Sequence, residues 1–408
     1  MAESNLNRII KTGDTPTPSG YVRLAGVPDG ESIIANAPVI ENAGTNYYPI
    51  YYMCLMDTLA SESFTKTGTG VSTGADAYVF SDEPSTLYVG DTTHTFDVAD
   101  DYATSENWKC RYVIAYATDA NRSDASGITV NLYATKTPFE FIGSQYLKLS
   151  STSALFGNTS SGDVNQNLRY VNLSNSSFYN NEISVGSFCR FCYSLTSLSL
   201  PLLTTVSGTN FCDNCYSLTS ISLPSLTTVS GSNFCYYCRS LTSISLPSLT
   251  TVSGENFCFC CGCSSLQSIT LPSLTTVSGL NFCFDCRSLA SISLPLLTTV
   301  SGATFCNGCY PLEYFEIPST ITIITNTSTN TLSYTQFIGL PTNFDIDACN
   351  FTGSSGYSKS LSWFTHLATQ LKDNSGGTAK TMTLGAANIA LIPSAQATII
   401  SNKNWTIN

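Results

Sequence analysis

Six pairs of closely spaced cysteines are the residues in this sequence that most invite chemistry: Cys189/Cys192, Cys212/Cys215, Cys235/Cys238, Cys283/Cys286, Cys306/Cys309, and Cys258 with Cys263. Two Cys-x-x-Cys pairs about 15–20 residues apart commonly supply the four thiolates of a zinc site. Thiol–disulfide exchange through such a pair needs a thioredoxin-like βαβ setting, and no such pattern surrounds them. The plainer reading is a column of small, easily buried side chains that pack one above another. Reduced packing thiols are preferred over disulfides and over a bound metal, with Cys258, Cys260, Cys261 and Cys263 the first place to seek an exception. No metal and no cofactor are expected.

Other catalytic groups are sparse. His94 and His366 are the only histidines, and neither lies beside a nucleophile-elbow sequence of the kind a Ser-His-Asp triad uses. There is no phosphate-cradling glycine loop of the P-loop or Rossmann type. Asp97, Asp100 and Asp101 read as a solvated acidic turn rather than a glycosidase pair. The chain is therefore not expected to be an enzyme.

What positions the cysteines is an internal repeat. FCRFCYSLTSLSLPLLTTVSGTN, FCDNCYSLTSISLPSLTTVSGSN and FCYYCRSLTSISLPSLTTVSGEN follow one another directly, and three more divergent copies come after. Phe188, Phe211, Phe234, Phe257, Phe282 and Phe305 recur every 23 residues, with one step of 25. Inside a copy, Leu241, Ile244, Leu246 and Pro247 give the spacing LxxIxLP. Alternation from Thr242 to Leu246 predicts a strand with one buried face, which Pro247 ends. Leu249, Val252 and Phe257 form the opposite wall. A single coil of this length cannot hide its own apolar face, so coils must stack into a solenoid at about 4.8 Å per strand.

The pattern resembles BspA-type leucine-rich repeats: Phe234, Cys238, Leu241, Ile244, Leu246 and Pro247 match position by position over residues ~167–320. That resemblance implies that the second cysteine of each pair lies in the core. The cysteine directly after each Phe is a departure from it. At the C-terminus, a short helix over 361–371, the run Thr381–Gly385 and the ending Asn402–Thr406 are similar to the terminal unit of repeat proteins of gut bacteria and their phages. Such a unit would cap the last coil.

Composition narrows the setting. Only 11% of the 408 residues are charged and the net charge is -11. Solubility therefore rests on Ser, Thr, Asn and Gly, and neither nucleic acid nor an anionic membrane is a favoured partner. No apolar run is long enough to insert in a membrane, and the first residues do not read as a secretory signal.

The expected architecture is mainly β: an arm over 1–20, a β-sandwich-like anchoring and oligomerisation domain over 21–150, a leucine-rich-repeat solenoid over 151–320, and irregular repeats with a capping unit over 321–408. In the second region Tyr112–Tyr116, Ile128–Tyr133, Leu87–Val89 and Thr95–Val98 read as strands.

Comparing copies shows where packing leaves freedom. Ser197, Ser220, Ser243, Ser268 and Ser291 are nearly invariant strand exteriors, a flat hydroxyl row. Variation gathers around the cysteines, at Arg190, Phe191, Tyr193, Tyr216, Tyr236, Tyr237, Arg239, Phe259, Phe284, Arg287 and Tyr310. Aromatics and Arg are the side chains that dominate binding interfaces, and these are the candidate binding residues. The functional expectation is a non-enzymatic virion structural or adhesion protein: a phage fibre or capsid decoration, trimeric or dimeric. Its N-terminal region would hold other virion proteins and its repeats would meet a host surface glycan or protein. The alternative is a bacterial cell-surface BspA-like adhesin.

Overall fold

The computed structural model describes residues 29–57, 71–90, 109–130, 138–151, 168–258, 265–302 and 361–408, with short stretches between them. The arm predicted over 1–20 lies outside these residues. The chain forms two compact units, Met1–Thr204 with Asn214–Pro224, and Thr205–Asp213 with Ser225–Asn408.

The first unit is organised by one mixed sheet. Its strands are β1 (Thr45–Asp57), β2 (Ala77–Phe80), β3 (Glu83–Val89), β4 (Lys109–Thr118), β5 (Pro138–Gly143), β6 (Tyr170–Asn172), β7 (Ser197–Ser199) and β8 (Ser220–Ser222). They lie in the order β8-β7-β6-β5-β1-β4-β2-β3. β1 and β4 are rich in Tyr, Ile, Val and Met, which suit a central, doubly covered position. Proline cannot donate to a ladder, and the register slips by one residue where β4 passes Pro49 and Ile50. The β5–β6, β6–β7 and β7–β8 pairs are all parallel, in the registers Phe141↔Val171, Val171↔Leu198 and Leu198↔Ile221. The N-terminal strands thus pass without a break into the strands of the first repeats.

A helix, α1 (Gly30–Asn36), is capped by Asp29 and packs Ile34 on Tyr52, Cys54, Ile142 and Tyr170 of this sheet. Its Glu31 accepts hydrogen bonds from Tyr170 Oη at 2.7 Å and Asn172 Nδ2 at 2.9 Å. Ser63–Thr65 pairs with Thr93–Thr95, and the His94 ring stacks on Phe80 at 3.9 Å. His94 is further fixed by Asp82 at 2.9 Å. Of the strand expected over Ile128–Tyr133, residues 131–133 lie outside the described residues, and Ile128 makes a parallel bridge to Leu149. A turn at Gly127 (φ +82°) brings it there, against the backbone of Leu149.

In the second unit the repeat strands Ser243–Ser245, Ser268–Thr270 and Ser291–Ser293 pair in parallel and in identical register. Ile244 and Ile269 point inward between exposed or half-exposed hydroxyls. A second parallel ladder runs through Thr205–Val206, Thr228–Val229, Thr251–Val252, Thr276–Val277, Thr299–Val300 and Ile323–Ile324. Between them stack the expected columns. Phe211, Phe234, Phe257, Phe282 and Phe305 lie ring on ring at 5.1–5.3 Å with interplanar angles of 4–9°. The hydroxyl row has one exception: Ser197, expected on the exterior, is buried at 2% exposure.

Two side-chain devices lock the coils of this unit together. Asn233, Asn256 and Asn281 each donate from Nδ2 to the Oδ1 of the preceding copy's Asn at 2.8 Å, a ladder that begins at Asn210. All four asparagines sit at positive φ, which their short amide side chains tolerate. Beside them run Gly231, Gly254, Gly279 and Gly302. A Cβ on any of these would lie inside the contact radius of the carbonyl oxygen of the preceding glycine.

The C-terminal end contains the predicted helix as Leu361–Gln370, and a helix that was not anticipated, Ser394–Asn402. Cys349–Asn350, Lys380–Thr383 and Trp405–Ile407 form a parallel three-stranded sheet. Trp405 is buried and donates from Nε1 to the Lys372 carbonyl at 2.9 Å.

Candidate binding surface

The cysteine pairs resolve into two buried columns with distinct tasks. The thiol of the second cysteine donates to a main-chain carbonyl one copy earlier: Cys215 to Cys189 at 3.0 Å, Cys238 to Cys212 at 3.2 Å, Cys286 to Cys258 at 3.3 Å and Cys309 to Cys283 at 3.0 Å. A weakly polar thiol thus ties each coil to the main chain of the coil before it without bringing a hydroxyl or a charge into the core. The described cysteines are free thiols. Burial pushes the first-column thiols of Cys189, Cys283 and Cys306 above the ordinary range, which keeps that column protonated, whereas hydrogen bonds with Cys286 and Cys306 hold the second-column Cys309 below it. Cys260, Cys261 and Cys263 lie outside the described residues.

The stretch between the two columns must reverse direction within two residues. Cys192 N–H closes a turn onto the Cys189 carbonyl, and Tyr193 N–H and Tyr216 N–H each bond two residues back, to Phe191 and Asn214. The residue just before the second cysteine therefore takes a left-handed conformation in each described copy: Phe191 at φ 62°, Asn214 at 62°, Tyr237 at 58° and Asp285 at 57°. Asn and Asp adopt this region readily. A branched or bulky side chain pays about 1–2 kcal/mol for it. Two of the four positions nevertheless carry an aromatic ring.

In the first unit, Arg190, Phe191, Tyr193 and Tyr216 come together. The Arg190 guanidinium lies 4.3 Å from the Phe191 ring centre, and Phe191 meets Tyr193 edge-on at 6.1 Å. Tyr193 and Tyr216 stack at 4.8 Å and 15°, and Tyr216 Oη donates to Asn214 at 2.9 Å. Phe191 is 9% exposed, so its ring is largely covered.

In the second unit, Tyr236, Tyr237 and Arg239 form a cluster of their own. The two rings meet at 4.4 Å and 76°, with the Arg239 guanidinium 5.6 Å from the Tyr237 centre. Both rings are half-buried and Arg239 is exposed. Two copies further on, Phe284 is half-buried and Arg287 is exposed. Arg287 makes a two-pronged ion pair with Asp285 at 3.0 and 3.1 Å. Phe259 and Tyr310 lie outside the described residues.

The Asn ladder carried a signal in the repeat, the Asn before Phe211, Phe234, Phe257 and Phe282, which spacing alone did not connect to a function. The strain at Phe191 and Tyr237 carried none, because backbone angles are not written in residue spacing.

Residues 153–260 and 205–336 match, as six copies, the family model described as BspA type leucine rich repeat region. No curated protein matches the sequence significantly. Among solved structures, the chain is similar to a leucine rich cell surface protein from Faecalibacterium prausnitzii A2-165. The two share 22% identity over 49% of this chain and 57% of that one, with a TM-score of 0.33. The chain thus spans little more than half of that protein's length. No helix among the described residues is long and apolar enough to cross a membrane.

Proposed function

From a BspA-type leucine-rich-repeat region as premise, we propose that this chain is a non-enzymatic adhesin displayed on a bacterial cell surface. Its repeats hold a partner through the aromatic and arginine side chains set between the two cysteine columns. The observation that carries this reading is Tyr237. It occupies a left-handed backbone position that Asn214 and Asp285 fill without strain in other copies, and its ring stays partly exposed beside Tyr236 and Arg239. A side chain that costs backbone energy and still leaves part of its apolar face to water is placed for a contact outside the chain. Tyr and Arg are also the side chains most often found at the energetic centre of protein interfaces, so a protein partner fits the cluster best.

A second reading places the same surface on a virion, as a phage fibre or capsid decoration. The low charge, the richness in Ser, Thr and Gly, and the similarity of the C-terminal unit to gut-phage repeat proteins favour it. In that setting the N-terminal region would dock on other virion proteins, and copies would associate as trimers or dimers.

The test combines location and binding. Antibody labelling of producing bacteria and of purified particles distinguishes the two settings. Binding of the purified chain to target cells is then compared with that of the variant Tyr236→Ala/Tyr237→Ala/Arg239→Ala. A loss of tenfold or more is expected; unchanged binding would remove the cluster from the interface.

A further inference from the structure

A second recognition site lies in the first unit, away from the cysteine columns. A cavity of about 290 Å³ opens between the C-terminal end of α1, represented by Ile34 and Ala37, and two chain turns carrying Ser144, Gln145, Tyr146 and Asn175. That volume is at the lower edge of small-molecule sites, which span about 300–1,000 Å³.

Both turns are built like the Leu-Pro-x-Leu turn of the later copies. Leu147 N–H bonds back to Ser144, and Ser176 N–H back to Leu173, as Leu203 N–H does to Leu200 and Leu249 N–H to Leu246. In the later copies Pro201, Pro224, Pro247, Pro272 and Pro295 begin the exposed edge of this turn. Here the edge reads Gln145-Tyr146 and Ser174-Asn175. The turn geometry is therefore satisfied by proline elsewhere, and the amides and the phenol are not needed to make it.

The floor is fixed. Ser144 N–H and Oγ bond to the Ile50 and Pro49 carbonyls at the β1 bulge, at 2.9 and 2.5 Å. Ser144 Oγ also accepts from Tyr146 N–H at 3.0 Å, and the Ser144 carbonyl accepts from Ser176 Oγ at 3.1 Å. Gly143 is required here, because a Cβ would collide with Ser176. The Tyr146 ring is held from outside. It lies 5.3 Å from Tyr48 and 5.6 Å from the Arg122 guanidinium, which stacks on Tyr48 at 3.9 Å and is neutralised by Asp119 at 2.6 and 3.0 Å.

The cavity therefore presents one positioned aromatic ring and two exposed primary amides beside apolar Ile34, Ala35 and Ala37, and no residue that lines it is charged. An aromatic face accepts the apolar C–H face of a pyranose. Asn and Gln amides each pair a donor with an acceptor, which matches vicinal hydroxyls. The absence of lining charge disfavours carboxylated or phosphorylated ligands.

We propose that this cavity binds a neutral saccharide, with Tyr146 as the stacking platform and Gln145 and Asn175 reading its hydroxyls. The test is saturation-transfer NMR on the full chain with N-acetylglucosamine, galactose, glucose and mannose, and with N-acetylneuraminic acid as the charged control. At least one neutral sugar should give a saturable signal, and the charged control none. Gln145→Ala, Asn175→Ala and Tyr146→Ala should each weaken binding tenfold or more, while Tyr146→Phe retains it. Gln145 and Asn175 are exposed, so these variants keep the fold, which circular dichroism verifies. The variant Tyr236→Ala/Tyr237→Ala/Arg239→Ala should bind sugar normally, which separates this site from the repeat surface. Failure of every neutral sugar, binding that survives loss of both amides, or binding of the charged sugar alone would overturn the proposal.

Discussion

Replacing Tyr237 by Asn tests whether its ring serves the fold or a partner, and the expected energies can be worked from the structure. The substitution removes a left-handed backbone cost of about 1–2 kcal/mol. Against that, it forfeits the edge-on contact with Tyr236, about 0.5–1.5 kcal/mol, and a surface contact with Arg239 of about 0.5–1 kcal/mol. Partial burial of the ring adds at most about 1 kcal/mol. The balance lies between a gain of about 1 kcal/mol and a loss of about 2.5 kcal/mol. Phe191→Asn, made in parallel, also loses a ring that is only 9% exposed, worth about 1.5–3 kcal/mol of burial, and should cost clearly more. Urea unfolding of the full chain gives the global values. Amide exchange over residues 234–246 gives the local ones, which matters because repeat arrays need not unfold in one step. A loss beyond about 3 kcal/mol for Tyr237→Asn would show that the ring is a structural part of the coil, and the argument from strain would fall.

Three further outcomes are expected. Phe257→Ala opens a gap between Phe234 and Phe282 and should cost about 3–5 kcal/mol, read as a lower urea midpoint with faster exchange in the flanking copies. Gly254→Ala drives a methyl into the Gly231 carbonyl, and should lower the melting temperature markedly through overpacking of about 2–3 kcal/mol or more. The buried thiols set a pH limit. Folded Cys189 and Cys283 titrate above their unfolded value of about 8.5, so their contribution is complete below that pH and is lost as pH rises toward the folded values, while the opposed shifts of the neighbouring Cys306 and Cys309 offset each other. Urea midpoints under reducing conditions should therefore fall between about pH 8.5 and 10; a flat profile would contradict buried, protonated thiols.

The repeat was legible because its physics is periodic. Phe234, Leu241, Ile244 and Leu249 return at fixed spacing, and only stacking hides them. The N-terminal strands have no period. That β5 would pair in parallel with β6, and carry the sheet into the repeats, depends on long-range register that local alternation does not encode. Ile128 is one instance: beside the turn at Gly127 it makes a parallel bridge to Leu149 that no local alternation announces. Ser197 departs from the exposed row because one of its two strand neighbours is the buried Tyr170, where Ser268 has serine on both sides. Helix Ser394–Asn402 buries only Ile400, so it leaves little apolar rhythm to read. Of the candidate surface, residue types and copy positions were visible, whereas the left-handed angles that single out Tyr237 and Phe191 were not.

The glycine column also governs how such an array can lengthen. Because each glycine is shaped to the carbonyl of the one before it, a coil copied whole meets its new neighbour with the same fit it had with the old. Whole-copy duplication is then structurally silent, while an insertion that shifts one glycine sideways is felt by the coils on both sides. The 25-residue copy obeys this rule: its two additional residues fall between Phe257 and Leu266, and Gly279 still faces Gly254.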